Sequence, residues 1–173
     1  MVDFETHLTG GHPNSLGNTV EVVDMVLAQH DKFEELFNCY FSDDEVVRLR
    51  VSNAMKRIGK ERQQLLIPYI DRFLNEISRI DQASTQWTLA QLFLMLGKNM
   101  DDDQVRKAKE ILVHNLENHN DWIVLNTTMD TLAHWSKTDE NLKLWLYPHL
   151  ERLGLDSRKS VSGRAIKLLK KQY

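Results

Sequence analysis

The sequence predicts an all-α fold built from a repeated pair of helices. Three observations carry this. Apolar residues recur at helical spacing along nearly every long segment, and none shows sustained strand alternation. Proline and glycine are scarce, three and seven in 173 residues, as long helices with short turns require. Helix-closing signatures also return at a near-constant interval. RIGK ends at Lys60, MLGK at Lys98, HWSK at Lys137 and LLKK at Lys171, spacings of 38, 39 and 34 residues, the length of a two-helix repeat.

In chain order, residues 1–15 read as an irregular lead-in, because Gly10, Gly11 and the His12–Pro13 step discourage helix. NTVEVVDMVLAQH then forms a capping helix. Four helix pairs follow, at roughly 31–60, 63–98, 103–137 and 139–171, within a single domain spanning 1–173. They read FEELFNCYF with DEVVRLRVSNAMKRIG, LLIPYIDRFLNEI with QASTQWTLAQLFLMLG, VRKAKEILVHNL with DWIVLNTTMDTLAHWS, and ENLKLWLYPHLERL with SRKSVSGRAIKLLKK. In the first pair Asp44 is expected to cap the second helix, with Arg48 one turn on and in reach of that carboxylate or its neighbour. Val47, Val51, Met55 and Ile58 point inward, and Gly59 closes the helix as a left-handed C-cap. Aligned by their ends, the second helices share two apolar rows: Met55, Phe93, Leu132 and Ile166, then Ile58, Leu96, Trp135 and Leu169. Small residues beside them, Ala54 and Ala165, allow close approach of helices.

FSDDEVVRLRVSNAMKRIG resembles the second helix of a HEAT repeat, with its acidic turn, Val-Arg, small residues and terminal glycine. LLIPYIDRFL and LYPHLERL, through Pro68 and Pro148, are similar to the proline-bearing first helix of that family. The resemblance covers about residues 31 to 171 and departs from the pattern at Thr85, Gln86 and Leu125. It implies a right-handed α-solenoid of about four antiparallel helix pairs, with the second helices lining a concave face.

That face supplies the candidate site. Asn53, Gln91, Asp130 and Arg164 align as one polar row; Leu49, Trp87, Asn126 and Ser160 form a second; Arg57, Met95, His134 and Leu168 form a third. Amide, carboxylate, guanidinium, imidazole and indole groups in one groove suit a protein or peptide partner, with Trp87 as an anchor. The groove residues are therefore Asn53, Arg57, Trp87, Gln91, Asn126, Asp130, His134 and Arg164.

Charge adds an asymmetry. From residue 151 onward seven Lys or Arg face Glu151 and Asp156, giving +5 and leaving −8 for the rest of a chain whose total is −3. Arg158, Lys159, Arg164, Lys167, Lys170 and Lys171 make a local basic patch. An alternative function follows from the same resemblance, since some alkylpurine DNA glycosylases are similar to HEAT solenoids, and Trp87, Trp135, Asp130 and Arg164 fit those parts. Charge argues against nucleic acid: duplex binding draws on many cationic phosphate contacts, and the body is net acidic.

Catalytic and metal signals are poor, so a non-enzymatic scaffold without cofactor or metal is expected. His114 and His119 stand five apart, off the spacing of a paired site, and no His-Glu-x-x-His occurs. Asp101–Asp103 suit a helix start rather than a calcium loop. Gly10–Gly11 precede no Lys-Ser/Thr. Cys39, the single cysteine, sits in LFNCYF as buried filler, excludes an intrachain disulfide and fits a reducing compartment. The N-terminus has no basic and apolar regions of a secretory signal, and no apolar run reaches about 18 residues. Cytoplasm is the expected location. The partly apolar AIKLLKKQY end leaves a homodimer through a solenoid end open.

Overall fold

Aspartate starts half of the α-helices among the described residues. The computed structural model describes residues 3–173, and among them ten α-helices form and no strand. They are α1 (Phe4–Leu8), α2 (Thr19–Ala28), α3 (Phe33–Asn38), α4 (Glu45–Glu61), α5 (Ile70–Asn75), α6 (Ala83–Leu96), α7 (Asp102–Asn118), α8 (Trp122–Trp135), α9 (Glu140–Gly154) and α10 (Lys159–Gln172). Asp3, Asp44, Asp101, Asp121 and Asp139 precede α1, α4, α7, α8 and α9. Each accepts a first-turn backbone N–H, from Thr6, Val46, Gln104, Ile123 and Leu142 at 3.3, 2.8, 2.8, 2.8 and 3.0 Å. Such a cap contributes about 1 kcal/mol. Gln104 Oε1 accepts in return from the Asp101 N–H at 3.0 Å, completing a capping box. The Asp101–Asp103 run is thus a helix start, with Asp103 paired to Arg106 and Lys107.

The chain divides into two compact units, Met1–Thr88 and Leu89–Tyr173, and α6 runs through the division. In the first unit α2 packs on α4, and α1 packs on both. Val47, Val51, Met55 and Ile58 are fully buried, as the helical period of α4 requires. Cys39 is buried too, and burial pushes its thiol pKa up to about 12. The first helices of the first two pairs are shorter than their apolar pattern suggests. α3 gives way to a 3-10 turn at Cys39–Phe41, and α5 is flanked by 3-10 turns at Ile67–Tyr69 and Ile77–Arg79. Pro68 has no N–H to extend an α-helix across that stretch.

Three expectations for this unit need correction. The lead-in is not irregular throughout, because α1 buries Phe4 and Leu8. Its loop then encircles Arg50, which is only 2% exposed. Arg50 Nη1 donates to the carbonyls of Leu8 and Gly10, both at 2.6 Å; Nε donates to Ser15 O at 3.2 Å and Nη2 to His12 O at 3.3 Å. Gly10, Gly11 and Gly17 take positive φ to bring those carbonyls round. Secondly, Gly59 is not a left-handed cap. It lies buried inside α4, which continues to Glu61 and closes with the Arg62 N–H on Ile58 O at 2.7 Å. Thirdly, Arg48 reaches past Asp44 to Ser42 O and Gln82 Oε1, at 2.5 and 2.6 Å.

In the second unit α7 packs on α8, α8 on α9, and α10 on both α8 and α9. The Thr131 hydroxyl, buried on α8, donates to Ala90 O of α6 at 2.8 Å. Phe93, Leu96 and Leu132 are buried as the aligned rows predict, but Trp135 is half-buried, and on α10 Ile166 is 42% exposed and Leu169 half-buried. The reason is rotational. Val161 and Ala165, one turn apart, form the buried edge of α10, so Ile166 falls about 100° further round. Pro148 stands inside α9, and the residue whose carbonyl it deprives of a donor, Leu144, is 66% exposed, so water can serve that carbonyl. Among the described residues no helix is long and apolar enough to cross a membrane.

Candidate functional site

Each unit builds a cleft that takes in helices expected to carry the groove: α4, set against the capping helix α2, in the first, and α6, α8 and α10 in the second. In the first unit α2 and α4 enclose about 600 Å³. The α2 wall is Val20, Val23 and Leu27 with Asp24; the α4 wall is Asn53, Lys56, Arg57, Lys60 and Glu61. Residues three and four apart on α4 share a face, which gathers the polar groups on one side. Asn53 and Arg57, two of the predicted groove residues, meet directly, with Arg57 Nε donating to Asn53 Oδ1 at 2.7 Å. Lys56 is half-buried. Burial, then the neighbouring charges of Lys60 and Arg57, push its ammonium pKa down.

In the second unit α6, α8 and α10, the helices expected to line the groove there, enclose a smaller cleft of about 220 Å³. Asp130 and His134 enter from α8 and Arg164 from α10, so three more predicted residues come together. Leu94 of α6 and Leu168 of α10 supply its apolar surface, and Leu94 stays 36% exposed. Around them stand Lys137, Lys167 and Lys171. Arg164 Nη1 lies 3.5 Å from Asp130 Oδ1, with both side chains about two-fifths exposed. A pair so solvated is worth about 0–1 kcal/mol, so it orients the guanidinium more than it stabilises the fold. Burial pushes the Asp130 pKa up, against the opposing pull of Arg164 and Lys167. The end of α10 is held against α8 by Gln172, whose Nε2 donates to Ala133 O and whose Oε1 accepts from the Ser136 hydroxyl.

His134 also borders a second opening of about 540 Å³, together with Leu94, Gly97 and Trp135. There Lys109 and Asp139 close a 2.6 Å ion pair. The Trp135 indole packs against Gly97, where a Cβ would come within 3.4 Å of Nε1. The remaining predicted residues, Trp87, Gln91 and Asn126, are half-buried and stand outside these clefts. Asn126 Oδ1 is buried without a hydrogen-bond partner.

Sequence reasoning missed Lys137 and Leu94, and treated Lys167 and Lys171 as a separate patch. The signal was present in the spacing. Positions 164, 167, 168 and 171 lie at i, i+3, i+4 and i+7, so the basic end and the groove row are one helix face. No protein-family model, curated protein or solved structure matches the chain.

Proposed function

We propose that the chain is a HEAT-like right-handed α-solenoid acting as a non-enzymatic, cytoplasmic interaction module, whose second helices receive a polypeptide partner. One observation supports this above the others. Asp130, His134 and Arg164, aligned by repeat register alone, line one open cleft with the exposed Leu94. An apolar edge ringed by mixed polar groups is the anatomy of a protein-docking surface. The DNA-repair alternative casts Trp87 and Trp135 with Asp130 and Arg164, and so would set Trp135 beside that pair. Its indole instead lines the other opening, against Gly97.

Affinity capture followed by lysine crosslinking and mass spectrometry tests the reading. Wild type is compared with a His134→Ala/Arg164→Ala variant, after circular dichroism shows that both fold. Crosslinks to the partner are expected from lysines of α4 and α10 and from Lys137 just past the end of α8, with capture reduced in the variant. A footprint confined to α7 and α9 would sink the assignment.

A further inference from the structure

The chain carries a net charge of −3, yet the cleft on α6, α8 and α10 is lined by four cations, Lys137, Arg164, Lys167 and Lys171, and by one carboxylate, Asp130. That carboxylate is already engaged by Arg164. The three lysines are exposed and make no ion pair within 4 Å among the described residues. Their charge is therefore available to a ligand. Leu94 and Leu168 lie among them as partly exposed apolar surface.

From this we propose, resting on the polypeptide-binding reading above, that the cleft docks an acidic peptide segment, in which carboxylates flank an apolar side chain. Size and spacing both favour a peptide over a small anion or cofactor. At about 220 Å³ the cleft is below the roughly 300–1,000 Å³ of sites that enclose a whole small molecule, and it suits one or two side chains. Lys167 and Lys171 stand one helical turn apart, about 5–6 Å, so they present separate charges along a line. Carboxylates spaced along a chain match that arrangement; a single phosphate does not. Nucleic acid is disfavoured by extent: duplex binding draws on many cationic phosphate contacts, and a chain of net charge −3 gathers only four cations at this cleft.

Fluorescence anisotropy on the full chain at low salt tests the proposal. The probes are a labelled peptide of Glu and Asp around one Leu, its Gln/Asn isostere, a Lys-based counterpart, and short single-stranded and duplex DNA. The acidic peptide is expected to bind, and to bind about tenfold more weakly to Lys137→Gln/Lys167→Gln/Lys171→Gln. A charge-matched variant, Lys143→Gln/Lys159→Gln/Lys170→Gln, removes lysines that line none of the clefts described and is expected to retain wild-type affinity. Equal loss in both variants overturns the proposal, because only total charge would then matter. If the isostere or the basic peptide binds best, the acidic assignment falls while the polypeptide reading stands. If DNA binds tightest and depends on the same three lysines, both fall in favour of nucleic acid. Binding of none of the probes overturns the acidic-peptide proposal and leaves the crosslinking footprint to judge the broader reading.

Discussion

Replacing Arg50 with methionine removes a guanidinium from the centre of the N-terminal loop while keeping a stem of similar length. Among the described residues this 2% exposed cation makes no ion pair; its charge is balanced by four carbonyl dipoles. Hydrogen bonds to a charged group are worth about 1.5–3 kcal/mol each. The two 2.6 Å bonds, to Leu8 O and Gly10 O, count most. Those to Ser15 and His12 are longer, and their exposed residues can turn to water. Against the loss stands the desolvation cost of the cation, which methionine does not carry. The balance is a destabilisation of about 3 kcal/mol, or a fall in Tm of about 6–12 °C for a chain of this length. Arg50→Lys should fall between, since an ammonium cannot present the planar fork that serves both ends of the loop. Thermal unfolding followed by far-UV circular dichroism measures the total, and hydrogen exchange by mass spectrometry locates it. Exchange should accelerate in the loop before α2 and leave α7 and α8 unchanged. A loss below about 1 kcal/mol with unaltered loop protection would refute the idea that Arg50 organises this segment.

The same loop predicts a difference between two glycines. Gly17→Ala should cost more than Gly10→Ala, because both have positive φ but only at Gly17 would the Cβ fall 2.8 Å from Arg50 Cζ; paired melting curves decide it. Cys39 should resist a disulfide reagent until the protein unfolds. With its folded pKa raised from 9.0 to about 12, its contribution to stability is complete below pH 9 and is lost as pH rises through that interval, measurable as a falling denaturation midpoint. The side-chain and backbone hydrogen bonds from Arg158 hold Asp156 down to about 2, so NMR should place its titration there, and Arg158→Ala should return it towards 3.8. That group stabilises above pH 3.8 and loses its effect as pH falls towards 2. Asp130→Asn should leave Tm nearly unchanged, burial relief offsetting the lost Arg164 attraction, yet tighten the acidic peptide a few-fold in the anisotropy assay.

Helical periodicity located α2, α4 and α6 to α10 because each buries an apolar stripe long enough for the 3.6-residue repeat to show. It overstated α3 and α5, where FEELFNCYF and LLIPYIDRFLNEI carry the same stripe but Pro68 and 3-10 turns interrupt the α-helix. Periodicity has no term for a missing N–H. The lead-in was misread for a related reason. Glycine and proline do mark the bend at residues 10 to 17, but the bend is organised by a residue some forty positions away, and a local pattern does not contain Arg50. One clue was available: Arg50 is three residues after Val47 and four before Ala54, on the buried side of α4. An arginine on an inward face implies a set of acceptors closing over it, and a glycine-rich loop is the chain segment best able to supply bare carbonyls.

The second-unit cleft shows why composition and register each told half of the story. Total charge pointed away from anionic ligands, and the basic C-terminal count pointed towards a separate patch. Register aligned Asp130 with Arg164 without saying what surrounded them. Helix geometry joins the two. On α10 the step from 164 to 167 to 171 keeps one face in view, while Lys159 and Lys170, equally basic, line none of it. Opposite, α8 brings Asp130, His134 and, just past its end, Lys137 to the same opening. A net-acidic chain thereby gathers three lysines and an arginine around one cleft, beside exposed leucine. Its acidic remainder then has a use of its own: the net negative charge elsewhere opposes an acidic segment, which sharpens the contrast between this cleft and the surface around it.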